Sequence, residues 1–169
     1  MKKIGVSQRV EEYPDINEFR DCLDQRWYPL LSKYGLMGVP IPTFSNTSLQ
    51  YLDCMNFDGF LLTGGNDLSK LTDGTNSSLD RDKLESQLLE YATKFKLPVM
   101  GVCRGFQFIN MHLGGGLTRA DGHVGARHHL SILKNPMNFQ EAKLEVNSFH
   151  GWVINQSDLA DDLIPIAIA

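Results

Sequence analysis

The sequence predicts an α/β protein built on a doubly wound, mainly parallel sheet flanked by helices, in a single domain over residues 1–169. Three observations carry that expectation. Short apolar runs alternate with segments of helical period along most of the chain, and strands separated by helices imply parallel pairing. The run "LPVMGV" at 97–102 is apolar without alternation, as in a strand covered on both faces. A chain of 169 residues can bury about two thirds of its unfolded surface, so no disulfide or metal staple is needed.

Residues 2–7, "KKIGVS", read as the first strand. The segment 15–35, "DINEFRDCLDQRWYPLLSKYG", places Phe19, Leu23, Trp27, Leu30 and Leu31 at helical spacing and is expected to be a helix ending at Gly35. "LMGVPIP" is a second buried strand, Ser45 opens a short helix through "NTSLQYLDCM", and "FDGFLLTG" is the third strand. "NDLSKLTDGTNSSLDR" is a polar, turn-rich excursion. "DRDKLESQLLEYATKFK" restores a helix with Leu84, Leu88, Leu89 and Ala92 on one face, and Pro98 ends the connection into "LPVMGV". "GFQFINMHLG" is helical. Residues 117–138 are expected to be irregular, "AKLEVNSFHGWVI" to be a strand ending in a loop around Ser148 to Gly151, and "DDLIPIAIA" to be a last strand that stops without cap, turn or charged tail.

Composition narrows the function. The longest apolar runs fall far short of the roughly 20 residues of a membrane span, and "MKKIGVSQRV" lacks the apolar core of a signal peptide. Cys22, Cys54 and Cys103 are odd in number with no CxxC spacing, which argues against a disulfide framework or zinc knuckle and for a reducing cytoplasm. The net charge of -4 without a basic stripe gives nucleic acid little to bind, leaving a small-molecule substrate as the default partner. His123, His128 and His129 have no carboxylate at ligand spacing, so neither metal nor cofactor is expected; His112 reads as a helix-surface or packing residue.

The chemistry concentrates at "GVCRG", residues 101–105, where Cys103 sits between a strand end and a helix start. In open parallel sheets that position faces the ligand crevice. Gly-x-Cys-x-Gly is the thiol counterpart of the nucleophile elbow, with Gly101 and Gly105 giving the sharp turn its clearance. A helix N-terminus and a histidine able to take the proton would favour the thiolate. The N–H of Arg104 points where a tetrahedral oxyanion would form, and "LLTGGND" would supply a second donor through Gly64 or Gly65. A lone cysteine is often a small hydrophobe, and Cys22, on the first helix beside Leu23, and Cys54, in a short connection, are read that way. Arg81 and Glu85, four apart on a helix, are read as a surface pair worth a few tenths of a kcal/mol.

Together "LLTGGND", "GVCRGFQFIN", "LGGGL" and "VNSFHGW" resemble the class I glutamine amidotransferase superfamily, in the γ-glutamyl hydrolase branch typified by γ-glutamyl-γ-aminobutyrate hydrolase, over essentially the whole chain. The resemblance implies a cysteine nucleophile, Cys103, that forms a γ-glutamyl thioester, with the N–H groups of Gly65 and Arg104 as oxyanion hole. It implies that Gln107 holds the glutamyl group, while His150, Gly151 and Trp152 line the pocket for its α-amino and α-carboxylate ends. It also implies a general-base His with its Glu in a "WHPE"-like motif near the C-terminus; none occurs in 1–169, and the expectation is a chain cut short within a strand. The implied reaction is hydrolysis of a small γ-glutamyl amide, either a nucleotide phosphoramidate such as γ-glutamyl-CDP-amidate in capsule biosynthesis or γ-glutamyl-γ-aminobutyrate. Arg9, Arg26 and Trp27 would suit a charged, aromatic leaving group, with ordinary core as the other reading of Trp27. The resemblance extends to "RDKLES", an Arg-Asp near a Glu that would tether the polar excursion around Asp67 to Asn76, against the plain surface pair preferred above. The alternatives are a glutaminase subunit feeding a synthase partner and a non-catalytic γ-glutamyl-binding module; a homo-oligomer is compatible with each.

Overall fold

The computed structural model describes residues 1–43, 48–71, 76–134 and 143–169, which divide into two compact units, Met1–Ile109 and Asn110–Ala169. The first begins with β1 (Lys2–Val6), a hairpin of β2 (Arg9–Tyr13) and β3 (Glu18–Cys22), and helix α1 (Trp27–Lys33). It continues through β4 (Leu36–Pro40), α2 (Ser48–Met55), β5 (Gly59–Leu62), α3 (Leu79–Phe95), β6 (Val99–Gly101) and the first six residues of α4 (Arg104–His112), a helix that runs on into the second unit. The sheet runs β4-β1-β5-β6 with every pairing parallel. From β1 the chain goes outward to β4 on one side and returns to β5 on the other. The strand order therefore reverses beside β1, and the ends of β1, β5 and β6 flank the place where such sheets take ligands.

Burial follows the apolar runs. Val6, Leu31 and Leu61 form a core cluster with Ile4, Leu23, Trp27, Leu36 and Val102 packed on it. Leu84, Leu88, Leu89 and Ala92 of α3 are buried as their spacing predicts. That helix is N-capped by the Ser78 side chain, which accepts from the Arg81 N–H, and carries Asp80 and Asp82 in its first turn, where the dipole favours negative charge. Gly35 follows the last turn of α1 at φ +69 and donates to Ser32 O, so the expected cap is present.

The long first helix is not. Residues 15–22 belong to the β2–β3 hairpin, which turns through Pro14–Ile16 and Asn17 at φ 52. Phe19 faces Glu12 across the ladder and is 69% exposed. Pro fixes the first turn residue and Asn tolerates the left-handed one, so turn chemistry prevails over an accidental helical spacing. Cys22 is accordingly on a strand, and Cys54 lies on α2. In β6, an edge strand of the described sheet, Met100 is exposed, against the expectation of cover on both faces. Ser45 lies outside the described residues, and α2 opens at Ser48.

The second unit contains β7 (Thr118–Arg119), β8 (Val124–Ile132), β9 (Lys143–Phe149), β10 (Trp152–Val153) and β11 (Ala167–Ile168). They form an antiparallel sheet β11-β8-β9 and a β10-β7 pair. Much of the stretch expected to be irregular is thus a nine-residue strand, in which Ala126, His128, Leu130 and Ile132 alternate with more exposed residues. The polar His128 on the inner face masks the period of two. The last strand is shorter than expected: Asp161 and Asp162 occupy a turn, and Pro165 has no N–H to give a ladder. Asn110, fully buried, ties the unit together by donating to Gly116 O (2.8 Å) and Asp158 O (2.9 Å) and accepting from the Ala160 N–H (2.8 Å).

Candidate active site

At the end of β6 the Val102 N–H donates to Leu62 O (2.9 Å), the last register of the parallel ladder before the chain turns. Cys103 then adopts φ +54, a left-handed conformation that costs a residue with a Cβ roughly 1–2 kcal/mol. The Gly105 N–H reaches Val102 O and the Gln107 N–H reaches Cys103 O, so α4 starts at once. No side chain fits between strand and helix: a Cβ on Gly101 would lie 2.6 Å from the Gly105 backbone, and one on Gly105 would lie 2.1 Å from Leu62 O. The turn is held by close backbone contact on both sides, and the Cys103 side chain is left exposed at its apex.

The loop after β5 runs beside the thiol. A Cβ added to Gly64 would meet Cys103 Cβ at 3.4 Å and Sγ at 3.9 Å. Gly65 takes φ +86, and Arg9 of the β2–β3 hairpin lies across it, its Cδ 2.7 Å from where a Cβ would be. Asn66 clamps that hairpin to the loop: its amide mimics a backbone pair, Oδ1 accepting from the Val10 N–H and Nδ2 donating to Val10 O, both at 2.8 Å. Neither the Gly65 N–H nor the Arg104 N–H donates to an acceptor among the described residues.

Beneath the loop lies a buried ionic network that the spacing of Arg81 and Glu85 was expected to place on the surface. Both side chains are fully buried. Arg81 Nε donates to Glu85 Oε1 (3.0 Å). Its Nη2 donates to Thr63 O (2.7 Å), and its Nη1 to Gly64 O (3.1 Å), Gly65 O (3.2 Å) and Asn66 Oδ1 (3.1 Å). Glu85 also accepts from Ser7 Oγ (2.7 Å) and from Arg104, whose guanidinium reaches Asp82 as well and stacks over Phe108 at 5.4 Å. Two cations face two carboxylates, so the cluster is neutral. Burial first, and then repulsion from Arg104, pull the Arg81 guanidinium down to about 10, with Glu85 and Asp82 opposing, and it stays charged at neutral pH. Ser7, Asn66 and the Arg104 side chain are members that sequence reading missed, whereas Asp82, part of "RDKLES", also accepts from the Ser69 N–H (3.0 Å) and so ties down the polar excursion as that motif was expected to do. The buried stripe 84, 88, 89, 92 of α3, continued back one turn, passes through Arg81 and Glu85, and that was the available signal.

Of the other expected residues, Gln107 sits half-buried on the first turn of α4, and Trp27 is partly buried and packs against the core. Arg26 is exposed and paired with Asp24. His150, Gly151 and Trp152 belong to the second unit, around the end of β9 and the start of β10. There His150 Nε2 meets Ser148 Oγ at 3.1 Å; the His123 ring stacks on His128 (4.5 Å between centroids) and tilts against His150 (5.5 Å). Burial, followed by the charges of His123 and His128, holds the His150 ring below its ordinary value, against a backbone hydrogen bond at Trp152. Among the described residues no group of three or more His, Cys, Asp or Glu side chains is disposed to hold a metal ion, and no helix is long and apolar enough to cross a membrane.

Comparison with known proteins agrees with this frame. The family model for peptidase C26 matches residues 3–169. The γ-glutamyl-CDP-amidate hydrolase of Campylobacter jejuni is 29% identical over 167 residues, covering 98% of this chain and 78% of that protein. A glutamine amidotransferase-like protein of Lactococcus lactis, YvdE, is 31% identical over 132 residues, 65% of this chain and 55% of its own length. The crystal structure of a glutamine amidotransferase from Thermotoga maritima superposes with a TM-score of 0.67 at 15% identity, over 98% of this chain and 66% of that one. The chain thus spans little more than half of the second relative.

Proposed function

The chain belongs to the peptidase C26 family, and from that premise we propose that it hydrolyses the γ-glutamyl amide bond of a small conjugate with Cys103 as nucleophile. The Cys103 sulfur attacks the γ-carbonyl carbon, the C–N bond breaks, the leaving nitrogen takes up a proton, and a γ-glutamyl thioester remains. Water then attacks the same carbon, the C–S bond breaks, and glutamate leaves with the thiol restored. The N–H groups of Gly65 and Arg104 receive the negative oxygen of each tetrahedral intermediate. Gln107 holds the glutamyl group.

The observation that carries the reading is Cys103 itself, exposed, left-handed and beside Gly64 at the strand ends where the sheet order reverses. The Campylobacter jejuni relative is named for γ-glutamyl-CDP-amidate, and Arg9, beside Gly65 and paired with Glu11, would have to exchange that partner to meet such a phosphate-bearing leaving group. A panel of γ-glutamyl amides that includes the nucleotide phosphoramidate, followed by mass measurement of the Cys103 peptide, tests the proposal. A glutamyl adduct on that peptide is expected, and hydrolysis of no member of the panel sinks the idea. The likeness to a glutamine amidotransferase-like relative favours a second reading, a glutaminase that delivers ammonia to a synthase. That reading requires turnover of free glutamine that rises when a synthase is added.

A further inference from the structure

We propose that Arg81 is a positioning residue for the oxyanion hole: it fixes the Gly64–Gly65 peptide so that the Gly65 N–H faces the Cys103 crevice, and Glu85 couples this setting to Arg104 on the other side of the thiol. The inference rests on the hydrolase reading above and adds to it the group that aims one of its two donors. Nothing in the chemistry of a Gly-Gly loop fixes its amide planes, because glycine populates both hands of φ about equally. Something outside the loop must choose one orientation.

The trans peptide is planar, with C=O and N–H pointing to opposite sides. No cis peptide occurs among the described residues. Arg81 Nη1 holds the Gly64 carbonyl at 3.1 Å and the Gly65 carbonyl at 3.2 Å from the buried side. With the Gly64 carbonyl drawn inward, the Gly65 N–H is turned outward, and it donates to no acceptor among the described residues. Rotating the Gly64–Gly65 peptide by half a turn would aim its N–H at a guanidinium and take the Gly64 acceptor from that cation, so the flipped state is disfavoured electrostatically as well as by a lost hydrogen bond.

Only arginine can do this here. Its planar fork engages Glu85 through Nε, Thr63 through Nη2, and Gly64, Gly65 and Asn66 through Nη1, whereas a lysine ammonium offers one nitrogen at one point. Glu85 takes Arg81 on one oxygen and Arg104 on the other. Arg104 follows Cys103 in sequence, so one buried carboxylate anchors both chain segments that present the two amides. Ser7 Oγ, at the end of β1, fixes that carboxylate against the sheet.

The test compares wild type with Arg81→Lys, using γ-glutamyl-p-nitroanilide hydrolysis and, in parallel, alkylation of Cys103 by iodoacetamide, a reaction that forms no oxyanion. The variant should lose about 100-fold in kcat, the size of one lost oxyanion donor, with KM little changed. Its alkylation rate should stay within about twofold of wild type, since the thiol itself is undisturbed. Unchanged kcat, or parallel loss of both rates, overturns the inference; a wild-type protein that alkylates yet hydrolyses no γ-glutamyl amide overturns the hydrolase reading first. Should Arg81→Lys not fold, glycine-labelled wild-type protein gives the answer: on addition of glutamate γ-semialdehyde, which forms a hemithioacetal at a reactive cysteine, the Gly65 amide proton must move downfield. A Gly65 resonance that stays in place while the adduct forms overturns it.

Discussion

Glu85 and Arg104 form an ion pair in which the two side chains are 0% and 2% exposed, although one lies in the middle of α3 and the other opens α4. The pair binds the helix before the elbow to the helix after it. Because Arg81 leans on the same carboxylate, Glu85 has two guanidiniums to satisfy.

Removing that carboxylate should therefore be costly. Glu85→Ala leaves Arg81 and Arg104 buried against Asp82 alone, and the loss expected from one partner of a buried pair is about 3–5 kcal/mol. Lys83→Ala, which breaks an exposed pair with Asp80 on the same helix, should cost no more than about 0.5 kcal/mol. Urea unfolding of both variants gives the comparison. Similar losses in the two would show that the buried cluster contributes no more than a surface contact.

The strain at Cys103 can be separated from its chemistry. Cys103→Ala and Cys103→Gly both remove the sulfur, so neither should turn over a γ-glutamyl amide. Glycine accepts φ +54 without penalty, so Cys103→Gly should be more stable than Cys103→Ala by about 1 kcal/mol. A reversed order in thermal melts would mean that the left-handed turn is not held in solution, and residual turnover in either variant would refute the nucleophile.

The two halves of this site were unequally legible in the sequence. The elbow was readable because Gly101 and Gly105 bracket the cysteine at a strand-helix junction, and only glycine survives contacts of 2.6 and 2.1 Å. The network below it was not, because an i,i+4 Arg–Glu pair looks the same in sequence whether it faces water or the sheet; the partners that decide the matter, Ser7, Thr63 and Arg104, come from three other segments. The β2–β3 hairpin escaped for a different reason. None of its residues is buried, so no apolar alternation marks it, and the period of Phe19, Leu23 and Trp27 spoke for a helix instead.

The histidine group of the second unit should make stability depend on pH in one direction. Folding holds the His150 ring below its ordinary 6.5, mainly through burial, so the unfolded chain takes up the proton at higher pH than the folded one does. Stability from this group is complete above 6.5 and declines as the pH falls below that value toward the folded one. His123 adds to the depression, so His123→Ala should raise the His150 titration toward 6.5, as followed by the ring proton in NMR. A His150 midpoint above 6.5 in the wild type would contradict the packing described here.

Gly105 and Gly114, nine residues apart, test how much of the elbow is backbone contact. Gly114 has φ +91 and open space where a side chain would go, so Gly114→Ala meets only backbone strain, about 1 kcal/mol, or a fall in Tm of roughly 3 °C. Gly105 needs no special φ, but its added Cβ would sit 2.1 Å from the Leu62 carbonyl oxygen, which cannot retreat without breaking its bond to the Val102 N–H. Gly105→Ala must therefore push α4 off β5, at about 3 kcal/mol or more and a Tm fall of roughly 6 °C or more. It should also slow alkylation of Cys103, because the displaced helix carries the apex of the turn with it. Equal Tm shifts for the two variants, with Cys103 reacting normally in both, would show that the strand and helix are not in contact at Gly105 and that the thiol is held by something other than that approach.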